Sequence, residues 1–198
     1  MIFDTALISI FIPTWIVMSA GLLFSFLITL YGIPSVVRLA RIKKLYDLPG
    51  DRTSHEIPTP RLGGAMVFAG VILSSVLFTG LNSSHELKYI IAGMIILFFI
   101  GIKDDVVSLS PLKKATGQFI AALILALPGD IHLTYINGLF ANDTLNVSAN
   151  ILLTVLIIMT LINSINFIDG IDGLAAGVGI LSSLILGLWY MLYEQQSY

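Results

Sequence analysis

Four stretches of the chain, about 8–32, 62–81, 148–168 and 173–193, each run for the length of a membrane crossing with almost no charged residue. A helix needs roughly 20 mostly apolar residues to cross the hydrocarbon core of a bilayer. Within a single segment only a helix pairs all its own backbone polar groups there, so these stretches predict helices. Two shorter apolar runs, 87–102 and 117–127, bring the set to six. The sequence is 57% hydrophobic and only 11% charged, against about 25% charged residues in soluble domains. The expected fold class is all-α, a polytopic transmembrane helical bundle of six spans in a single membrane-embedded domain over residues 1–198.

The positions of the cations orient that bundle. Six spans put the linkers after Arg38, Leu81, Lys103, Leu127, Ile168 and Tyr193, so spans one, three and five end on the same side. That side collects Arg38, Arg41, Lys43, Lys44, Arg52, Arg61, Lys103, Lys113 and Lys114, leaving only Lys88 of the ten cations opposite. Lys and Arg in short loops mark the cytoplasmic face, which predicts an N-terminus outside and three basic loops inside. No Lys or Arg precedes the first apolar run, whereas a cleavable signal peptide needs a basic leader, so this run is expected to be a retained span. The chain has no cysteine, which excludes a disulfide scaffold, a thiolate metal site and a cysteine nucleophile. No nucleic-acid partner is expected.

Acidic residues gather on the same predicted face. Asp104 and Asp105 follow Lys103 at the end of the third span, and Asp169 and Asp172 follow the fifth in Asn163-Ser-Ile-Asn166-Phe-Ile-Asp169-Gly-Ile-Asp172-Gly173. The carboxyl end of a helix carries the negative pole of its dipole and disfavours carboxylates. A divalent cation would relieve the clash, as would Lys103, Lys113 and Lys114 nearby. A lone interfacial Asp is well explained as a helix terminator. Four of them on two same-side helix ends favour function, because ionisable groups near a membrane core are costly. The spacing of three from Asn163 to Asp172 drifts about 60° around a helix per step. Gly170 and Gly173 permit a break after Asp169. Asn163 and Asn166 serve equally well as interhelical glue or as substrate contacts.

The first basic loop ends in Pro58-Thr59-Pro60-Arg61-Leu62-Gly63-Gly64, with the glycine pair expected to open the second helix. Backbone N–H groups at a helix start suit anions, and His55 and Arg61 add donors, so a phosphate or diphosphate fits this loop. A plain topology loop explains the cations as well, although not the Pro and Gly arrangement.

Taken in order, His55 to Gly64, Asp104-Asp105 with Leu109-Ser110-Pro111 and Lys114-x-x-x-Gln118, and Asn163 to Leu174 resemble the polyprenyl-phosphate N-acetylhexosamine-1-phosphate transferase superfamily. The Pro58-to-Gly64 form is similar to its bacterial undecaprenyl-phosphate N-acetylglucosamine-1-phosphate branch more than to the muramyl-pentapeptide translocase. The chain departs from the pattern at Ser108, where members often carry a further Asp. It also lacks the later spans and the Gly-Asp-x-Gly-Ser stretch of members with ten or eleven spans. It is therefore read as the N-terminal part of such a transferase domain, or as a naturally short member.

The resemblance implies transfer of a sugar 1-phosphate from a UDP-N-acetylhexosamine to a polyprenyl (undecaprenyl) phosphate, releasing UMP, at the cytoplasmic face of the plasma (inner) membrane. It implies Mg²⁺, with Mn²⁺ as an alternative, and membrane lipid as surroundings; a homodimer is among the assemblies it allows. Asp104 is expected to deprotonate or position the lipid phosphate with Asp105 assisting, and Asp169 and Asp172 to organise the metal–diphosphate complex, so that all four are expected catalytic and metal-ligating residues. His55, Arg61, Gly63, Gly64, Lys114, Gln118, Asn163 and Asn166 are the expected substrate contacts. The competing reading is a non-catalytic bundle, a lipid-binding or scaffolding subunit or a transporter fragment. It would place acids at mid-span rather than beside basic loops. The spaced motif of the CDP-alcohol phosphotransferases is not found.

Overall fold

The computed structural model describes residues 14–43, 45–47, 59–60, 62–79, 85–131 and 146–196. Six helices run through them: α1 (Thr14–Lys43), α2 (Gly63–Phe78), α3 (Leu87–Val107), α4 (Pro111–Ala126), α5 (Val147–Ile168) and α6 (Leu174–Gln196). Strands β1 (Tyr46–Asp47) and β2 (Thr59–Pro60) form a two-residue ladder, a small departure from the all-helical expectation. Two compact units organise the chain, Met1–Asp47 with Pro60–Met159, and Leu48–Thr59 with Thr160–Tyr198.

Three helix boundaries differ most from the expected ones, each because charge was taken as the end of a helix. α1 continues past Arg38 to Lys43, where Arg41 and Lys43 meet the negative pole of the helix dipole and favour its last turn. Its 30 residues span about 45 Å at 1.5 Å per residue. α3 runs through Lys103, Asp104 and Asp105 to Val107. α4 starts at Pro111 rather than near Gly117, because proline lacks the N–H that a first helical residue would leave unpaired.

The first unit is held by small residues. A Cβ on Gly70 would stand 2.8 Å from the Ser25 carbonyl oxygen, one on Gly21 would stand 3.1 Å from Ser74 Oγ, and one on Gly32 would overlap Met66. Such residues let helix backbones approach closely where lipid removes any hydrophobic drive to associate. The Ser74 hydroxyl donates to the Gly21 carbonyl at 2.7 Å, and the Thr29 hydroxyl donates to Ser25 O on its own helix at 2.9 Å and reaches Met66 O on α2 at 3.4 Å. Interhelical bonds of this kind contribute about 0.6 kcal/mol each. The α3–α4 hairpin uses the same device, since a Cβ on Gly117 would overlap Ile100. α4 meets α5 through Ala122, Ala126 and Val155. Beside them Asn150, 6% exposed, has a side-chain oxygen with no hydrogen-bond partner among the described residues.

The buried hydrophobic core among the described residues is small, with Ala40, Ala121, Ala122, Ala126 and Val155 its members, while Trp15, Leu22, Phe26, Tyr31, Phe99, Leu184 and Trp189 face outward. Large side chains outside and small ones inside are the reverse of the soluble arrangement. α1 from Trp15 and α5 are each long and apolar enough to cross a membrane.

Candidate active site

Asp104 and Asp105 occupy the last turn of α3, and neighbouring helical residues point about 100° apart. The two carboxylates therefore serve different neighbours. Asp104 turns toward the three-residue link to α4: its Oδ1 accepts the Leu109 backbone N–H at 2.7 Å, and its Oδ2 accepts from Lys114 Nζ at 3.1 Å. Its backbone carbonyl accepts the Ser108 N–H at 2.9 Å. Of the two expected ways to offset a carboxylate at this pole, a lysine and a cation, the structure supplies Lys114 from the first turn of α4 to Asp104. The side chains are about a quarter exposed, 24% for Lys114 and 27% for Asp104. Ser108, where the pattern has a third acid, holds φ at 44°, a conformation that costs a non-glycine residue roughly 1–2 kcal/mol.

Asp105 instead lines a cavity of about 220 Å³ with Phe98, Gly101 and Ile102 of α3 and with Leu62, Gly64 and Ala65 at the start of α2. The expected glycine pair does open that helix, at Gly63. The Leu62 cap makes no side-chain hydrogen bond to the helix start, whose first N–H groups lie outside the helix's own ladder. Among the described residues, nothing beyond the chain neighbours and the helix's own nearby backbone lies within 4 Å of a Cβ added to Gly63, Gly64 or Gly101, so packing among them does not account for these glycines. Gly64 and Asp105, read separately from the sequence, thus share one concavity. Phe98, Gly101 and Ala65 were not anticipated; an apolar helix gave only the Gly101-to-Asp105 spacing as a signal. Gln118, one turn after Lys114, is buried at 3% exposure.

In the second unit, Asn163 and Asn166 lie near the end of α5, half-buried and exposed respectively. The Asp169 N–H still bonds Ile165 O at 3.1 Å, and Ile171 N–H bonds Ile168 O at 3.2 Å as the chain turns. Gly173, at φ 75°, completes the break, and α6 begins at Leu174. The break is thus where the two glycines were expected to permit one. The shared electrostatic position is not as expected: Asp169 follows α5, but Asp172 stands just before α6, at the positive pole that favours a carboxylate. Both acids are exposed. His55 and Arg61 lie outside the described residues.

Among the described residues no three His, Cys, Asp or Glu side chains gather to hold a metal ion. Mg²⁺ commonly takes only one or two carboxylates together with substrate phosphates. The hard oxygen of Asp105 on an open cavity fits such a cation.

A decaprenyl-phosphate N-acetylglucosaminephosphotransferase of Mycobacterium tuberculosis (strain CDC 1551 / Oshkosh) is 32% identical over 81% of this chain and 42% of its own length. A probable undecaprenyl-phosphate N-acetylglucosaminyl 1-phosphate transferase of Bacillus subtilis is 32% identical over 79% of this chain and 44% of its own. An undecaprenyl-phosphate alpha-N-acetylglucosaminyl 1-phosphate transferase of Escherichia coli O157:H7 is 27% identical over 87% and 47%. The chain spans less than half the length of each of these relatives. No solved structure matches it. The acid pair, the α3–α4 turn and the break after α5 all lie in residues 87–198, which match the model described as glycosyl transferase family 4, and with more than half its sequence so matched the chain belongs to that family.

Proposed function

We propose that the protein transfers a sugar 1-phosphate, N-acetylglucosamine 1-phosphate, from a UDP-sugar to a membrane polyprenyl phosphate and releases UMP, initiating a cell-envelope glycan. The observation that carries this reading is the cavity shared by Gly64 and Asp105. A phosphate suits the backbone donors at the start of α2, and a carboxylate suits a cation riding on that phosphate. In the reaction an oxygen of the lipid phosphate attacks the β-phosphorus of the nucleotide sugar, and the bond from that phosphorus to the α–β bridging oxygen breaks. UMP carries the electron pair away. Positioning and charge neutralisation are the main requirements of such a transfer.

Asp105 is the cavity residue that would hold Mg²⁺, which supplies charge neutralisation when bound. Asp169 and Asp172 keep the metal-organising role implied by the resemblance, and Asn163, Asn166 and Gln118 that of substrate contacts. Lys114 brings a positive charge to the turn beside the cavity helix. The apolar exterior lets a polyprenyl chain approach from the bilayer. With nine cations on one side, the reading includes six spans, an outside N-terminus and a cytoplasmic active face in the inner membrane.

The test uses membranes carrying the complete reading frame, supplied with polyprenyl phosphate and UDP-N-acetylglucosamine labelled in the β-phosphate. Label should pass into the organic phase with stoichiometric UMP, and Asp105→Asn should abolish it. Release of UDP instead of UMP, or no transfer at all, would overturn the reading.

A further inference from the structure

We propose that the adjacent carboxylates of α3 divide their labour: Asp104 is a positioning residue acting through Lys114 and the α3–α4 turn, and Asp105 alone of the pair touches the reacting groups. This inference rests on the function proposed above and reverses the order in which the sequence pattern ranks the two acids.

Three observations carry it. Every oxygen of Asp104 is engaged by the link to α4 or by the first turn of α4: Oδ1 by Leu109 N–H at 2.7 Å, Oδ2 by Lys114 Nζ at 3.1 Å, and the carbonyl by Ser108 N–H at 2.9 Å. Bonds in which both partners are ionised, or in which a carboxylate takes a backbone N–H, are the strong ones. The link they close contains Ser108 at φ 44° and ψ 99°, a backbone that persists only when its surroundings hold it there. Asp105, one residue on and turned away, lines the cavity with Gly64, Phe98 and Gly101.

The chemical consequence concerns Lys114. Its ammonium is a flexible point charge on a long stem, and the Asp104 carboxylate fixes where that charge stands. Asp104→Asn keeps an oxygen for Leu109 N–H but no longer anchors the ammonium, so its effect on catalysis runs through Lys114. Asp105→Asn removes a group at the cavity itself.

A double-mutant cycle on the complete protein, purified in detergent, separates the roles. Asp104→Asn should lower turnover about 10-fold to 100-fold, the usual loss when a residue that orients another is removed. Lys114→Gln should give a loss of similar size, and the double variant should be no worse than the more damaging single one. The Mg²⁺ concentration for half-maximal rate should be unchanged in Asp104→Asn and raised, or unmeasurable through loss of activity, in Asp105→Asn. Thermal denaturation supplies the arm that needs no activity. Asp104→Asn should lower Tm, and Ser108→Gly on that background should recover part of the loss.

Multiplicative losses for Asp104→Asn and Lys114→Gln, or a shifted Mg²⁺ dependence in Asp104→Asn, would overturn the division. So would an Asp104→Asn variant that melts like the parent. If the parent transfers no sugar phosphate, the proposed function fails, while the melting experiment still decides whether Asp104 holds the α3–α4 turn.

Discussion

A Cβ placed on Gly70 of α2 would stand 2.8 Å from the backbone carbonyl oxygen of Ser25 on α1. The obstacle is main chain and cannot swing aside, so the two helices are in contact through the space a hydrogen leaves. Gly70→Ala should therefore destabilise the protein despite alanine's better helix propensity, by about 1–3 kcal/mol as overpacking does. Thermal unfolding in detergent checks this. An unchanged or higher Tm would mean that α1 and α2 are not in close contact at Gly70.

Gly64→Ala makes the opposite comparison in the same helix. Among the described residues, nothing beyond its own stretch of helix lies within 4 Å of the added Cβ, and replacing a helical glycine gains about 0.5–1 kcal/mol. The variant should melt at or above the parent temperature, yet its transfer activity should fall because the methyl group enters the cavity that Gly64 lines. Equal activity would remove the cavity from the substrate's path.

The orientation can be read with a single introduced thiol, since the chain has no cysteine. Asp47→Cys lies beyond the basic end of α1. A membrane-impermeant maleimide should label it only after the cells are permeabilised. Labelling in intact cells would place the basic loops outside.

Divalent cations should stabilise the folded protein if Asp105 offers a preformed carboxylate. A ligand that binds only the native state adds about 2.7 kcal/mol at a hundredfold excess over its dissociation constant. Tm should rise with millimolar Mg²⁺ or Mn²⁺, and Asp105→Asn should remove the rise while Asp104→Asn keeps most of it. NaCl at equal ionic strength, giving the same shift as Mg²⁺, would show screening in place of binding.

Six helices were legible as apolar runs, because their length and lack of charge answer to lipid alone. Their ends were less so. Lys103, Asp104 and Asp105 look like loop residues in a hydropathy reading, yet α3 carries them to Val107, where no solvent boundary is written in the sequence. The Gly63-Gly64 start was readable, since glycine and proline mark backbone geometry directly. The separation of Asp104 from Asp105 was not: it follows from a 100° step and from where α2 and α4 lie, and both are long-range facts. Asp172 was misplaced on the dipole of α5 because the break before α6 comes within so few residues. The Ser108 position was read only for the carboxylate it does not have, while its backbone is what the turn uses.

The close seam between α1 and α2 also acts as a depth gauge. Gly21, Ser25, Thr29 and Gly32 mark four rungs along α1 that engage Ser74, Gly70 and Met66 in turn. Because each rung fits only its partner, α2 cannot slide along α1 by a fraction of a turn. The start of α2, with Gly63 and Gly64, is held at a set height relative to α1. One residue inserted into α2 ahead of Met66 would raise that start by about 1.5 Å and swing it by about 100°. The glycine pair would then face away from Asp105 while every rung of the gauge stayed in register.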